Sequence, residues 1–295
     1  MNGTVPELRV PQFSYESLPE DWLAHNPLAS CLGNALHMVF PEGERFFVRS
    51  VMHYADRLRQ NPELWRRVRG FAGQEGQHGY QHERVFEHLR AQGVPVDAFL
   101  RIYEGWAYGF LAKTIASPKV HLASTVAAEH LTATLARLAL ESGVLDTMSR
   151  EMSDLLRWHA LEELEHQHVA WDVLQEVDDS YPLRLLGAVL ICSVLFPFWF
   201  GGGLVFAAQR RGGLLETIRR SVAARRASGS MRPVLPLGAL ARALADYGRP
   251  GYRPGKPEDD ALVAAGKAWF AELQSGSESA GRTASAAARR SMHPA

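Results

Sequence analysis

Glutamate and histidine recur in this chain at positions where a helix would otherwise bury hydrocarbon: Glu44, Glu75, His78, Glu129, His159, Glu163 and His166. The densest stretch is WHALEELEHQHVAWD, residues 158–172. Wound as a helix, it puts His159, Glu163 and His166 at i, i+4 and i+7, on one narrow face about two turns long. Two imidazoles and a carboxylate on such a face are nitrogen and oxygen donors for a metal ion. Glu165 and His168 repeat the Glu-x-x-His spacing, but at about 100° per residue they point roughly 140° to 200° away from Glu163. Both pairs cannot face one core. Leu155, Ala170 and Val173 extend the stripe of Glu163 and His166, which favours that pair.

The elements that must position these donors are helices. From Cys31 the chain reads as helical, and after a break at Phe40-Pro41 the residues Phe40, Glu44, Phe47, Val48 and Val51 form a stripe. A first-turn acid favoured by the helix dipole is the other explanation of Glu44. Pro62 opens the next helix, which runs to about Gln92 with Trp65, Val68, Ala72, Glu75, His78, His82, Val85 and Leu89 inside. Glu75-x-x-His78 is thus a second copy of the pair at Glu163-x-x-His166. His82 continues that face and is read as a group supporting the ligands or facing water, rather than as a ligand. Residues 96–116 carry Phe99, Tyr103, Trp106, Tyr108 and Phe110; they read as a crossover helix whose aromatic rings pack in the core. After Pro118 a third stripe holds Leu122, Val126, Glu129, Ala133, Ala136 and Leu140, ending near Gly143. A long fourth helix from about Leu145 to Val177 supplies His159, Glu163 and His166.

One Glu from each of two helices and one Glu-x-x-His pair from each of the other two make up the ligand inventory of ferritin-like di-metal carboxylate bundles, which residues 30–178 resemble. The resemblance implies an all-α, ferritin-like four-helix bundle built from two similar hairpins, 44 to 75 and 129 to 163. It also implies two iron ions, with manganese or zinc as alternatives, bound by Glu44, Glu75, His78, Glu129, Glu163 and His166. A His four residues before the last Glu-x-x-His is similar to the p-aminobenzoate N-oxygenase type, in which such a residue is an added iron ligand. By that resemblance His159 is a further ligand. Its alternative role is a hydrogen bond to Glu163 or Glu162 from outside the ligand set. The phrases FPEGERFF (40–47), AAEH (127–130), WHALEELEH (158–166) and RPGYRP (249–254) also resemble a bacterial family described as predicted metal-dependent hydrolases, over most of the chain. The tail phrase departs from that family at Arg253, where a His is usual, so no role is carried over to it.

The resemblance implies a non-haem di-iron oxygenase or oxidase that uses dioxygen and an external electron donor to oxidise an amine or apolar small molecule. A dinuclear metal-dependent hydrolase is the alternative, and a non-catalytic metal-storage or membrane-interaction protein the other. No acid-base catalyst separate from the ligands stands out, and neither a His-Glu-x-x-His motif nor a phosphate loop is present. With 32 basic and 32 acidic residues the chain has no net field to recruit nucleic acid. Cys31 and Cys192 stand apart from each other and from the histidines, against a disulfide framework or thiolate site. With no basic-apolar leader, the expected location is cytoplasmic, with the inner face of the membrane as a peripheral contact. A homodimer is compatible with the sequence.

Residues 1–27, rich in proline, read as an extended arm lying over the bundle at 28–180, with no functional role expected there. From Leu185 to Ala208 no residue is charged, long enough to span a bilayer. A single span is disfavoured because Arg210, Arg211, Arg219 and Arg220 would put the metal domain on the far side. Pro197 and Gly201–Gly203 suggest instead an apolar hairpin over 181–212, dipping into one leaflet or buried against protein. Residues 213–274 read as C-terminal helices, basic at first, and 275–295 as a disordered tail.

Overall fold

The computed structural model describes residues 4–228 and 237–292, with side chains as far as Ser275. Among these residues the chain is helical, and its β-type pairing is confined to an isolated bridge between Leu23 and Met148. The bundle is made by α1 (Pro27–Met52), α3 (Pro62–Ala91), α6 (Pro118–Ser142) and the collinear pair α7 (Arg150–His166) and α8 (Val169–Val177). A short turn, α2 (Ala55–Leu58), joins α1 to α3, and the crossover comprises α4 (Val96–Glu104), a π-helical segment (Gly105–Leu111) and α5 (Ala112–Ile115). Helix starts follow local chemistry. Asn26 and Asn61 accept from the backbone N–H of Ala29 and Leu64, each followed by a proline at the first helical position. Gly143, at φ 70°, ends α6 in the left-handed conformation.

Helix α1 packs on α3, α3 on α7 and α8, those on α6, and α6 back on α1, which closes the four-membered ring. Two apolar clusters fill it, one around Met38, Phe86, Leu155 and Trp158, the other around Val51, Phe71, Leu122 and Val173. On α1, α3 and the α7–α8 pair the positions of Glu44, Glu75, His78, Glu163 and His166 fall between these clusters, and on α6 Glu129 directly follows the second, so hydrocarbon flanks the polar centre.

Several boundaries differ from those the sequence suggests. Helix α1 does not break at Pro41 but passes through it. The ring removes one backbone donor, yet Pro41 is buried against α3 at Gly79, where an added Cβ would lie 3.7 Å from Pro41 Cα and 3.3 Å from Glu44 Oε2. Packing at that close approach holds the helix together and brings Glu44 to α3. The fourth helix, conversely, is divided at Gln167–His168. There the Gln167 amide donates to the Leu164 carbonyl (3.1 Å) and to Asp259 (3.0 Å), occupying a carbonyl that α-helical pairing would use.

The apolar segment is a single rod in place of the expected hairpin. Helix α9 (Tyr181–Phe196) runs through a π turn (Pro197–Gly201) into α10 (Gly202–Gln209). The π turn takes up the backbone register that Pro197 disturbs. The rod crosses α6 and then α1, and its glycines permit this. A Cβ on Gly187 would lie 2.4 Å from the Ala123 carbonyl carbon, and one on Gly203 2.6 Å from Leu32 Cδ2. Gly187→Ala therefore forces two backbones apart and is expected to lower stability by about 1–3 kcal/mol, read from the urea midpoint.

Beyond the rod lie α11 (Gly213–Ala227), α12 (Leu237–Tyr247) and α13 (Asp259–Met292). Arg184, buried in the rod, donates to the carbonyls of Tyr247 and Arg249, and Asp259 at the start of α13 is forked by Arg137 of α6. The backbone of α13 is helical to Met292, into the stretch whose composition suggests no order; the side chains of 276–295 lie outside the described residues.

Candidate metal centre

The helix faces converge on one buried cluster. Glu75 and His78 from α3 and Glu163 and His166 from α7 present donor atoms that all lie within 4.8 Å of one another. Glu44 of α1, His78 and His159 form a second such set. Glu129 of α6 joins through its Oε2, 3.0 Å from His166 Nδ1. All of these side chains are at most 4% exposed. Glu165, two residues from Glu163, points elsewhere: its carboxylate meets Arg9 (2.6 and 3.0 Å), Gln74 (2.9 Å) and Lys267 (2.8 Å).

Buried polar atoms are ordinarily hydrogen-bonded, and those that are not call for an explanation. Among the described residues, both carboxylate oxygens of Glu44 and of Glu75, one of Glu129, His78 Nδ1 and His166 Nε2 have no hydrogen-bond partner. These orphaned acceptors cluster in the space where a cation would sit, and they are of the hard oxygen and imidazole type that suits iron, manganese or zinc. The residues present therefore fit metal ions.

Electrostatics gives the same reading. Burial, reinforced by Glu129 and Glu163, pushes the Glu75 carboxyl far above the usual range, and burial with Glu163 does the same to Glu44. Burial lifts Glu129 to about 7 against the opposing pull of His166. For Glu163 burial acts in the same upward sense, but His166, His159 and the Thr132 hydroxyl outweigh it and hold the group below its ordinary value. Several carboxylates confined without matching positive charge are costly unless a cation offsets them.

A supporting shell orients the donors. Glu162 Oε2 accepts from His78 Nε2–H at 3.0 Å, which leaves the Nδ1 lone pair facing inward. Oε1 of Glu162 accepts from Trp158 Nε1–H and Arg9 Nη1–H, both at 3.1 Å. Thr132 donates to Glu163 Oε2 at 2.5 Å. His159 Nε2 lies 2.8 Å from Glu163 Oε1 and 3.9 Å from Glu44 Oε1, with its ring stacked on His78. His82 does not reach the carboxylates. It bridges His159 Nδ1 (2.6 Å) and His37 Nδ1 (2.7 Å) in a buried row of imidazoles. Replacing Glu162 by Gln removes the carboxyl acceptor behind His78, and metal affinity is expected to fall about 10- to 100-fold in competition with a chelating dye.

Sequence reasoning missed His37, Thr132 and Arg9. His37 precedes Glu44 by two helical turns and shares its stripe; an expected break at Pro41 hid that register. Thr132 is one turn beyond Glu129. Arg9 had no signal, because an extended arm has no periodicity, and the arm correspondingly does more than cover the bundle.

A cavity of about 910 Å³ leads to this cluster, touching His37, Thr132, His159 and Glu163 at its inner end. Leu32, Leu36, Phe40, Leu135, Leu156 and Trp199 form apolar walls. Neither curated proteins nor solved structures give a match to the chain. A family model described as predicted metal-dependent hydrolase matches residues 7–258, a span that includes Arg9, every donor of the cluster and the whole rod. Within it, two phrases distant in sequence meet: His130, beside Glu129, takes the Tyr252 hydroxyl at 2.6 Å. With a buried Glu/His metal site on an all-helical frame and a family match over most of its length, the chain belongs to the predicted metal-dependent hydrolase family.

Proposed function

We propose that this protein is a two-metal enzyme that uses dioxygen to oxidise an apolar small molecule or amine, drawing electrons from an external donor. The observation that carries the reading is the donor set: a Glu from each of α1 and α6 and a Glu-x-x-His pair from each of α3 and α7, buried with orphaned acceptors. Two bound irons would supply the electrons and Lewis acidity for dioxygen chemistry. The chain's own residues do the rest. Glu44, Glu75, His78, Glu129, Glu163 and His166 hold the ions, with His159 beside them. Glu162 and Thr132 orient His78 and Glu163, and the apolar cavity binds the substrate and excludes water from the centre.

Hydrolysis is the second reading, favoured by the description of the matched family. It requires no reductant, and zinc or manganese suffices for it. The two are separated by loading the metal-free protein with ferrous iron, zinc or manganese under exclusion of air. Consumption of dioxygen by the iron form, accelerated by an apolar amine or hydrocarbon that is recovered oxidised, supports the first. Ester or amide cleavage by the zinc or manganese form without dioxygen overturns it in favour of hydrolysis. Iron oxidation that no substrate accelerates points to storage.

A further inference from the structure

Among the described residues the rod presents one unpartnered side. Its buried positions, Gly187, Val194, Trp199, Gly203 and Phe206, face the bundle. Its exposed positions, among them Leu186, Val189, Pro197, Leu204 and Val205, recur at three- and four-residue steps along the opposite face. Val189 is 65% exposed and Val205 52%. From Tyr181 to Gln209 the helix is long and apolar enough to cross a membrane by length and composition, and 28% of its most apolar window is buried. It cannot cross as a lone span while Gly187 and Gly203 lie against α6 and α1.

The apolar face continues on both flanks. Trp106 meets Phe198 of the π turn at 6.0 Å and, with Ile102 and Phe110, is among the exposed large apolar residues. On the other flank α10 packs against α11, where Leu215, Ile218, Arg219, Val222 and Arg226 are exposed at helical spacing. Leu215 is 82% exposed. Exposed apolar residues interleaved with arginines are the pattern of a helix lying in a lipid interface. Large apolar residues exposed on three neighbouring elements mark an interaction surface rather than scattered surface hydrocarbon.

We propose that the outer face of the α9–α10 rod, with the Ile102–Phe110 edge and α11, docks onto an anionic lipid leaflet. The apolar residues enter the headgroup boundary and the arginines meet lipid phosphates. This does not rest on the reaction at the metal centre. The occupant is lipid rather than a second copy of the chain because the rim of the face is cationic. Arg219 pairs with Glu216 on its own helix (2.8 Å) and Arg220 with Asp21 of the arm (3.3 Å), yet α11 carries more arginine than these acids offset, which complements phosphate and repels an identical surface.

The test is flotation of the metal-loaded full chain with vesicles of equal parts phosphatidylcholine and phosphatidylglycerol, and with phosphatidylcholine alone. Binding is expected to the first and to be much weaker to the second. Removing two surface arginines in an Arg219→Gln/Arg226→Gln variant should weaken binding to the anionic vesicles roughly 30-fold. A Val189→Glu/Val205→Glu variant should weaken it by at least about tenfold. Both should keep the far-ultraviolet circular dichroism and metal content of the parent. Absence of binding to anionic vesicles overturns the proposal, as does equal binding to both compositions. A dimer in sedimentation that the valine variant converts to monomer, without vesicle binding, assigns the face to a second copy and also overturns it.

Discussion

Replacing Glu163 by Ala should lower the metal bound per chain by at least about half relative to the parent, measured by elemental analysis after anaerobic loading. Glu163 belongs to one donor set and meets His159 of the other at 2.8 Å. It is also the carboxylate of the cluster that its neighbours hold ionised, through His166, His159 and Thr132, whereas burial drives Glu44 and Glu75 toward the protonated form. Loading can start on the group that already carries charge, so its loss should be felt more than that of any other single donor. Glu165→Ala supplies the contrast. That glutamate lies on the same helix two residues away and is buried, but it faces Arg9, Gln74 and Lys267. The variant should lose stability yet retain metal. Equal retention of metal by the two variants would sink the ligand assignment.

Arg137→Ala should destabilise the protein by about 3–5 kcal/mol, because it leaves the Asp259 carboxylate buried without its counter-charge. Arg137 forks Asp259 at 2.6 and 2.7 Å, and the aspartate also accepts from Gln167 and from the Lys256 N–H. This knot ties the start of α13 to α6 and to the break between α7 and α8. Burial pushes the Asp259 carboxyl up, but the Arg137 hydrogen bonds and the Lys256 backbone outweigh it and hold the group below its ordinary 3.8. A depressed carboxyl stabilises the fold fully above its unfolded pKa and loses that contribution as pH falls through the folded value. Without Arg137, burial acts with less opposition and the carboxyl should rise, so the penalty grows as pH climbs past the unfolded value. The stability gap between parent and variant in urea titrations should therefore narrow below about pH 4 and widen toward neutrality. A gap that stays constant across this range would show that Asp259 is not the group left uncompensated.

Sequence alone determined the faces. A 3.6-residue period is a local property, so Glu75, His78, Glu129, Glu163 and His166 could be assigned to the inner stripes of their helices before any contact was known. Prolines and asparagines at helix starts likewise marked elements by chemistry confined to one turn. Tertiary structure decided what depends on how distant segments meet. Pro41 reads as a breaker from its own geometry, and only burial against Gly79 of α3 keeps α1 continuous, placing His37 in register with Glu44. Gly201–Gly203 read as a turn, because glycine permits one; in the fold Gly203 lets the rod lie against Leu32 of α1, as Gly187 does against Ala123. Arg9 lies in an arm without periodicity, and its contact with Glu162 and Glu165 spans more than half the chain. Local spacing can specify which side of a helix carries a donor. Which donors share one ion, what supports them from behind and which apolar face is left uncovered follow only from the packing of the helices.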